Sequence, residues 1–331
     1  MEKQVKYGFV VMCVSLVLIV SAFPTEGRAE FPDRPITIMV TFAPGGSTDV
    51  GTRAVAAAAE KILGKSIIVE NKAGGGGAVA YALISNAKPD GYTLCSGTDS
   101  GIVRVPQLQK VNYHPLKSFT PIIAYAKPYN GIVVKKTSQW NSLKELIDYA
   151  KKNPNKIKYS TGGVATGMHH AMIVLEKQED LKLIHVPYQG NADAMTALIG
   201  GHVDLCSAGP EYVPFERSGV VKILAIPESE KNPKYPNVPT LKELGYDFAN
   251  DVLFTIVGPA GLPTDVAKKL ESAFTKAAQS DEVKTMLNNL DLVAVNRVGK
   301  EYEEYLKNYW FRMEKTLKET GLIKEPATSP Y

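Results

Sequence analysis

The chain has 331 residues, with 38 Lys and Arg against 34 Asp and Glu, and 44% of it is hydrophobic. So near-neutral a balance, without a basic stretch interleaved with aromatics, argues against a nucleic-acid partner, and the length suffices for two ordinary α/β lobes with their own cores. Three cysteines make no disulfide framework: Cys13 sits in the N-terminal apolar run, while Cys95 and Cys206 stand in separate strand-like runs and read as buried thiols.

Lys3, Lys6, the apolar run 9–23 and Gly27-Arg28-Ala29 read as a secretory signal peptide over 1–29. The apolar run is too short for a comfortable membrane span. Cleavage after Ala29 is expected, with Ala22 as the alternative; no cysteine signal for a lipid anchor closes the run, and the expected location is the periplasm.

Next, the run 36–41 predicts a strand and the alanine-rich run 49–63 a helix ended by Gly64. Between them stands Phe42-Ala43-Pro44-Gly45-Gly46-Ser47-Thr48-Asp49. Pro44 fixes φ, Gly45 and Gly46 let backbone pass close to a ligand, and Ser47, Thr48 or Asp49 can cap the helix and leave its first N–H groups pointing outward. Such a turn is a ready anion cradle. Gly46 to Gly51 has phosphate-loop spacing, but Thr52 stands where the lysine belongs; at Gly74-Gly75-Gly76-Gly77 the dinucleotide fingerprint fails because Val79 takes its last glycine position. A nucleotide is therefore the weaker reading, and a turn that merely joins strand to helix stays open as the alternative.

Strand 66–70, helix 78–85, the turn Pro89-Asp90-Gly91 and strand 92–96 continue the alternation, which predicts a mostly parallel sheet. Loops 42–48, 72–78 and 97–101 then leave carboxyl ends of strands, where such sheets hold ligands. After strand 121–126 the chain crosses at 127–130 into a second series: strand 132–135, helix 142–152 capped by Ser142 with Glu145 at the capping-box position, strand 156–160, the loop 161–167, and helix 168–176. Strand 183–186, Pro187-Tyr188-Gln189-Gly190-Asn191, helix 192–199 and strands 203–207 and 221–226 follow. The run 251–259 reads as a strand returning to the first lobe through a crossing at 250–252. Helices 264–279, 282–287 and 300–320 finish the chain, and Tyr302, Tyr305, Tyr309, Trp310 and Met313 form a core-facing stripe on the last.

For catalysis, Thr98-Asp99-Ser100-Gly101 offers a serine but no nucleophile elbow and no identifiable base. His202, Asp204 and Cys206 alternate on one strand face, yet no second His/Cys cluster lies at ligand spacing, so core packing and a loop-tying carboxylate explain them better than a metal. His169-His170 at a helix start read as partly exposed. Asp99 would face the crevice, either turned to solvent or paired with a ligand ammonium.

Arg34-Pro35-Ile36, Phe42-Ala43-Pro44-Gly45-Gly46 with Asp49, Glu70-Asn71-Lys72, Pro89-Asp90-Gly91-Tyr92-Thr93-Leu94, Val186-Pro187-Tyr188 with Gly190, Gly200-Gly201 with Val203-Asp204, Val238-Pro239-Thr240 and Pro259-Ala260-Gly261 with Pro263 carry a resemblance. In this order they resemble the Bug-type substrate-binding proteins of tripartite tricarboxylate transporters. The resemblance implies a two-lobed, Venus-flytrap α/β fold of the type II periplasmic kind with two hinge crossovers: lobe 1 over 30–128 plus 252–331, and lobe 2 over 129–251. It implies a small organic carboxylate, often a dicarboxylate, held between the lobes, with an aromatic acid or acidic amino acid as other expected ligands, and passed to the transporter's membrane components; a monomer without cofactor or metal is expected. Carried onto this chain, the first-lobe contacts are Phe42, Ala43, Pro44, Gly45, Gly46, Ser47, Thr48, Ala73, Gly74, Gly75, Gly76, Gly77, Ala78 and Thr98. The second-lobe contacts are Thr166, Tyr188, Gly190 and Asn191. Where the family often places an acidic or amide residue after the Val-Asp strand, this chain has Ala208-Gly209-Pro210. The alternatives are an exported α/β enzyme acting on a carboxylate and a ligand-presenting protein for a sensor kinase.

Overall fold

The computed structural model describes residues 30–329, so the expected signal peptide lies outside the described residues. In chain order, β1 (Ile36–Val40), α1 (Ser47–Leu63), β2 (Ile67–Asn71), α2 (Ala78–Ser85), β3 (Thr93–Thr98), the short α3 (Asp99–Val103) and α4 (Val105–Leu108), and β4 (Phe119–Lys127) come first. The second series is β5 (Gly131–Lys135), α5 (Leu143–Lys152), β6 (Lys158–Thr161), α6 (Gly167–Gln178), β7 (Ile184–Pro187), α7 (Asn191–Gly200), β8 (Leu205–Ala208), α8 (Val213–Arg217) and β9 (Val221–Ala225). Then β10 (Phe254–Pro259), α9 (Thr264–Ala278), α10 (Asp281–Asn289), β11 (Val293–Arg297) and α11 (Gly299–Glu319) complete it.

These strands form two sheets, one ordered β11-β4-β10-β3-β1-β2 and the other β7-β6-β8-β5-β9. Ile36, Ile38 and Val40 of β1 are all fully buried, as expected of a strand with parallel neighbours on both sides and helices over both faces. The expectation of a mostly parallel first sheet needs correction. β10 runs antiparallel to both β3 and β4, and β11 antiparallel to β4, because these strands re-enter after the excursion through the second sheet. Each sheet has its own core. Tyr302, Tyr309, Trp310 and Met313 of α11 are buried against the first, as their spacing predicts, beside Tyr81 and Ile102. In the second, α5 lays Leu143, Leu146, Ile147 and Ala150 onto Ile132 and Tyr159. The Ser142 hydroxyl accepts from Glu145 N at 3.2 Å, the expected cap, while Glu145 Oε2 reaches back one residue beyond the N-cap and accepts from Asn141 N at 2.8 Å.

Candidate functional site

The cradle turn starts from β1. The N-cap of α1 is Gly46 (φ −75°, ψ 163°), with no side-chain cap, so Ser47, Thr48 and Asp49 lie within the first turn and not at the cap, as the sequence suggested. Asp49 turns back into the loop instead. Its Oδ2 accepts from Gly45 N at 2.9 Å, and its Oδ1 accepts from Arg53 Nε and Asn71 Nδ2, each at 2.9 Å. Burial works to raise this carboxyl, but the bonds from Arg53, Gly45 and Asn71 win and hold it below the usual carboxylate range. Asp49 thus rigidifies the turn and leaves the Ser47 amide free for something else.

That amide donates to Glu211 Oε1 at 2.6 Å. Glu211 belongs to the other lobe, on the short 3₁₀ turn Pro210–Tyr212 that follows β8. Burial pushes its carboxyl above the ordinary range, against the opposing pull of the Ser47 amide and hydroxyl and of the Asn191 side chain beside it. Oε2 forms no hydrogen bond, and Asn191 Oδ1 is unpaired as well.

From the second lobe, α6 begins behind Thr166, whose hydroxyl accepts from His169 N at 3.3 Å and donates to Gly163 O at 2.8 Å. α7 begins at Asn191 behind Gly190. The first turns of α1, α6 and α7 therefore face one crevice, each presenting partial positive charge. The lobes are closed over it: Ala43 N donates to Gln189 O at 3.2 Å, and a Cβ on Gly76 (φ +65°) would lie 2.6 Å from Val164 O of the facing loop. The cavity left inside has a volume of about 20 Å³, room for about one water.

Of the residues singled out from sequence, Phe42, Ser47, Thr48, Thr98, Thr166 and Asn191 line that cavity. Others sit around it. Pro44, Gly45 and Gly75 are exposed, and Ala73, Gly74 and Ala78 are half-buried. Gly76 and Gly77 are buried, and Gly76 packs on the 163–166 loop; Gly190 abuts Ala43, with a Cβ there 3.3 Å from Ala43 Cβ. Tyr188 packs against the second lobe's core. Sequence reasoning did not single out Asn130, Gly167, Met168, Pro210, Val252 and Phe254, which also line the cavity, or Glu211. Ser100, weighed only as a nucleophile, is a lining hydroxyl whose Oγ lies 3.1 Å from Thr98 Oγ1.

Asp99 requires a correction, for it faces neither solvent nor ligand. It is fully buried, its N–H donates to Leu253 O at 3.0 Å, and its Oδ1 accepts from Leu253 N at 3.1 Å, which clips α3 to the returning crossover. Burial pushes its carboxyl up to about 7, although the Leu253 amide and the Arg104 guanidinium pull the other way. The two crossovers are tied by an ion pair, Lys127 Nζ to Asp251 Oδ1 at 2.9 Å. His170 is fully buried against Phe248, and only its neighbour His169 is half-buried, stacked on His185. His202 and Asp204 are exposed, and Asp204 Oδ2 accepts from Lys158 N at 2.8 Å, the loop-tying role. Cys95 and Cys206 are buried and free.

A larger cavity, of about 510 Å³, lies between α6 and α11 beyond the hinge. Its lining mixes Lys177, Lys242 and Arg312 with Asp247, Asp251 and Glu319 beside helix C-terminal turns, whose carbonyls disfavour anions, and Lys177 already bonds the Thr320 and Gly321 carbonyls there. The small cleft with its helix N-termini is the better anion site.

Two mixed sheets joined by paired crossovers, with helix N-termini turned into the cleft between them, make the two-lobed fold of type II binding proteins. The sequence profile described as tripartite tricarboxylate transporter family receptor matches residues 52–322, and the chain belongs to that family. A protein of Cupriavidus necator described as "UPF0065 protein in gbd 5'region" is 33% identical over 95% of this chain and 96% of its own. The structure of periplasmic binding protein BugD superposes with a TM-score of 0.83 at 28% identity, over 88% of this chain and 99% of that one. MatC from Rhodopseudomonas palustris with bound malate gives 0.82 at 29%, over 87% and 100%. The chain is thus a solute-binding protein of a family of periplasmic binding proteins.

Proposed function

We propose that this protein captures a small organic carboxylate between its two lobes in the periplasm and delivers it to the membrane components of a tripartite tricarboxylate-type transporter. The observation that carries the reading is the 2.6 Å bond from the Ser47 amide to the Glu211 carboxylate, which supports the Gly45-Gly46 turn as a carboxylate cradle. The malate held by the similar R. palustris protein supports the same ligand class. On this reading the ligand meets Phe42, Ser47, Thr48 and Thr98 from a first lobe of 30–128 plus 252–331. It meets Thr166 and Asn191 from a second lobe of 129–251. The lobes swing about 127–130 and 250–252, where the Lys127–Asp251 pair sits.

A thermal-melt panel tests it, with C4 to C8 dicarboxylates, aromatic acids and amino acids beside ATP, NAD and neutral sugars. A ligand that binds only the folded state, at about a hundred times its dissociation constant, adds ~2.7 kcal/mol. At roughly 2–4 °C per kcal/mol for a protein of this size, an acid should raise the melt by about 5–10 °C. A shift with only ATP, NAD or a sugar refutes the carboxylate reading.

A further inference from the structure

The carboxylate in the cradle is the protein's own, and its confinement is what makes it informative. A Cβ on Gly209 would stand 2.5 Å from Glu211 Oε2 and 2.4 Å from Asn191 Nδ2, so the side chain is walled in on its own lobe. Across the cleft, a Cβ on Gly46 would reach to 3.3 Å from Oε1. Glu211 is nine-tenths buried, its Oε1 accepts from the Ser47 backbone amide, and it pairs with no lysine or arginine among the described residues. When the lobes close on a ligand, Glu211 is carried to the amide that a first-lobe carboxylate would use. Two carboxylates meeting there, away from water and without a cation, repel each other, whereas an ammonium or another donor would satisfy the unpaired Oε2.

We propose that Glu211 determines specificity in this cleft: it selects monocarboxylates whose other end is a hydrogen-bond donor, an ammonium above all, and rejects dicarboxylates. The inference rests on the carboxylate-binding reading and narrows it. The ligand's single carboxylate then meets the helix N-termini that converge on the cavity, where Ser47 and Thr48 of α1 and Gly167 and Met168 of α6 line it, while its donor end meets Glu211, the neighbour of the lining residue Pro210.

Titration calorimetry on length-matched pairs decides it: 4-aminobutanoate against succinate, 5-aminopentanoate against glutarate, and 6-aminohexanoate against adipate. The natural protein should favour the amino member of the best-bound pair at least tenfold. Glu211→Gln should shrink that preference at least tenfold, chiefly by tightening the dicarboxylate, while Glu211→Asp, which keeps the charge, should retain it and so serves if the glutamine variant does not fold. Equal or tighter binding of the dicarboxylate by the natural protein overturns the proposal. So does a Glu211→Gln variant that binds both members more tightly by the same factor, since Glu211 would then be only a stand-in for any carboxylate. Dicarboxylate binding would leave the broader reading intact, whereas failure of every acid beside binding of a nucleotide or sugar would remove that reading and this inference with it.

Discussion

Replacing Asp99 by asparagine should stabilise the protein, and only at neutral to alkaline pH. The side chain is fully buried at the point where the returning crossover meets β3 and α3, and its carboxyl is pushed up to about 7 from an ordinary 3.8. Below pH 4 the group is protonated in folded and unfolded chains alike and nothing is lost. Between pH 4 and 7 the unfolded chain ionises while the folded one holds its proton, so stability falls as pH rises, and above pH 7 the loss is complete. Three units at 1.36 kcal/mol each set an upper bound of ~4 kcal/mol. Asparagine keeps an oxygen for Leu253 N but puts a buried NH2 donor where Oδ2 has no hydrogen-bond partner, which offsets ~1–2 kcal/mol of the gain. The net expectation is ~2 kcal/mol at pH 8, or roughly 4–8 °C in melting temperature, shrinking to nothing or a slight loss at pH 4. Scanning calorimetry of both proteins at pH 4, 6 and 8 measures this. A variant less stable than the natural protein at pH 8 would show an ionised Asp99 that the buried Arg104 stabilises, and would refute the reasoning.

Thr166→Ala removes the α6 cap and should cost about 1 kcal/mol, a fall of roughly 2–4 °C in the melt. In Gly167→Ala the new Cβ would lie 1.8 Å from Asn250 Oδ1 in the closed form, so about 1–3 kcal/mol of strain is expected, and scattering should show less compaction with ligand. Cys95 and Cys206 are fully buried, with burial pushing the Cys206 thiol up to about 12; neither should react with a thiol reagent until the protein is denatured, when both should be counted.

What was legible in the sequence is what is local. The Gly45-Gly46 turn, the Ser142 cap and the alternation of strand and helix are written in neighbouring residues, and they appear within one to three residues of expectation. β11 was not, because its Val-Ala-Val-Asn-Arg run is largely exposed, with Val293 at 42%, and owes its strand form to pairing with β4. α3 and α4 hide behind Gly101 and Pro106, which read as loop, although Ile102, Val103 and Val105 are fully buried and packing holds the turns. The site was half visible. Glu211 stands two residues past Gly209 and bonds an amide 164 positions away, and Asp99 bonds Leu253 across 154; such partners follow from topology and from no periodicity. The available signal was an acidic residue just beyond the Gly209-Pro210 turn.

The proposed function requires that the cleft hold a small organic acid and return it unchanged. Incubating the protein with a mixture of organic acids, amino acids, nucleotides and neutral sugars, removing the unbound, denaturing, and identifying the released compound by mass spectrometry tests it most directly. About one organic carboxylate per chain, of unaltered mass, is expected. Release of only a nucleotide or a sugar, or of an acid chemically changed during incubation, would contradict it.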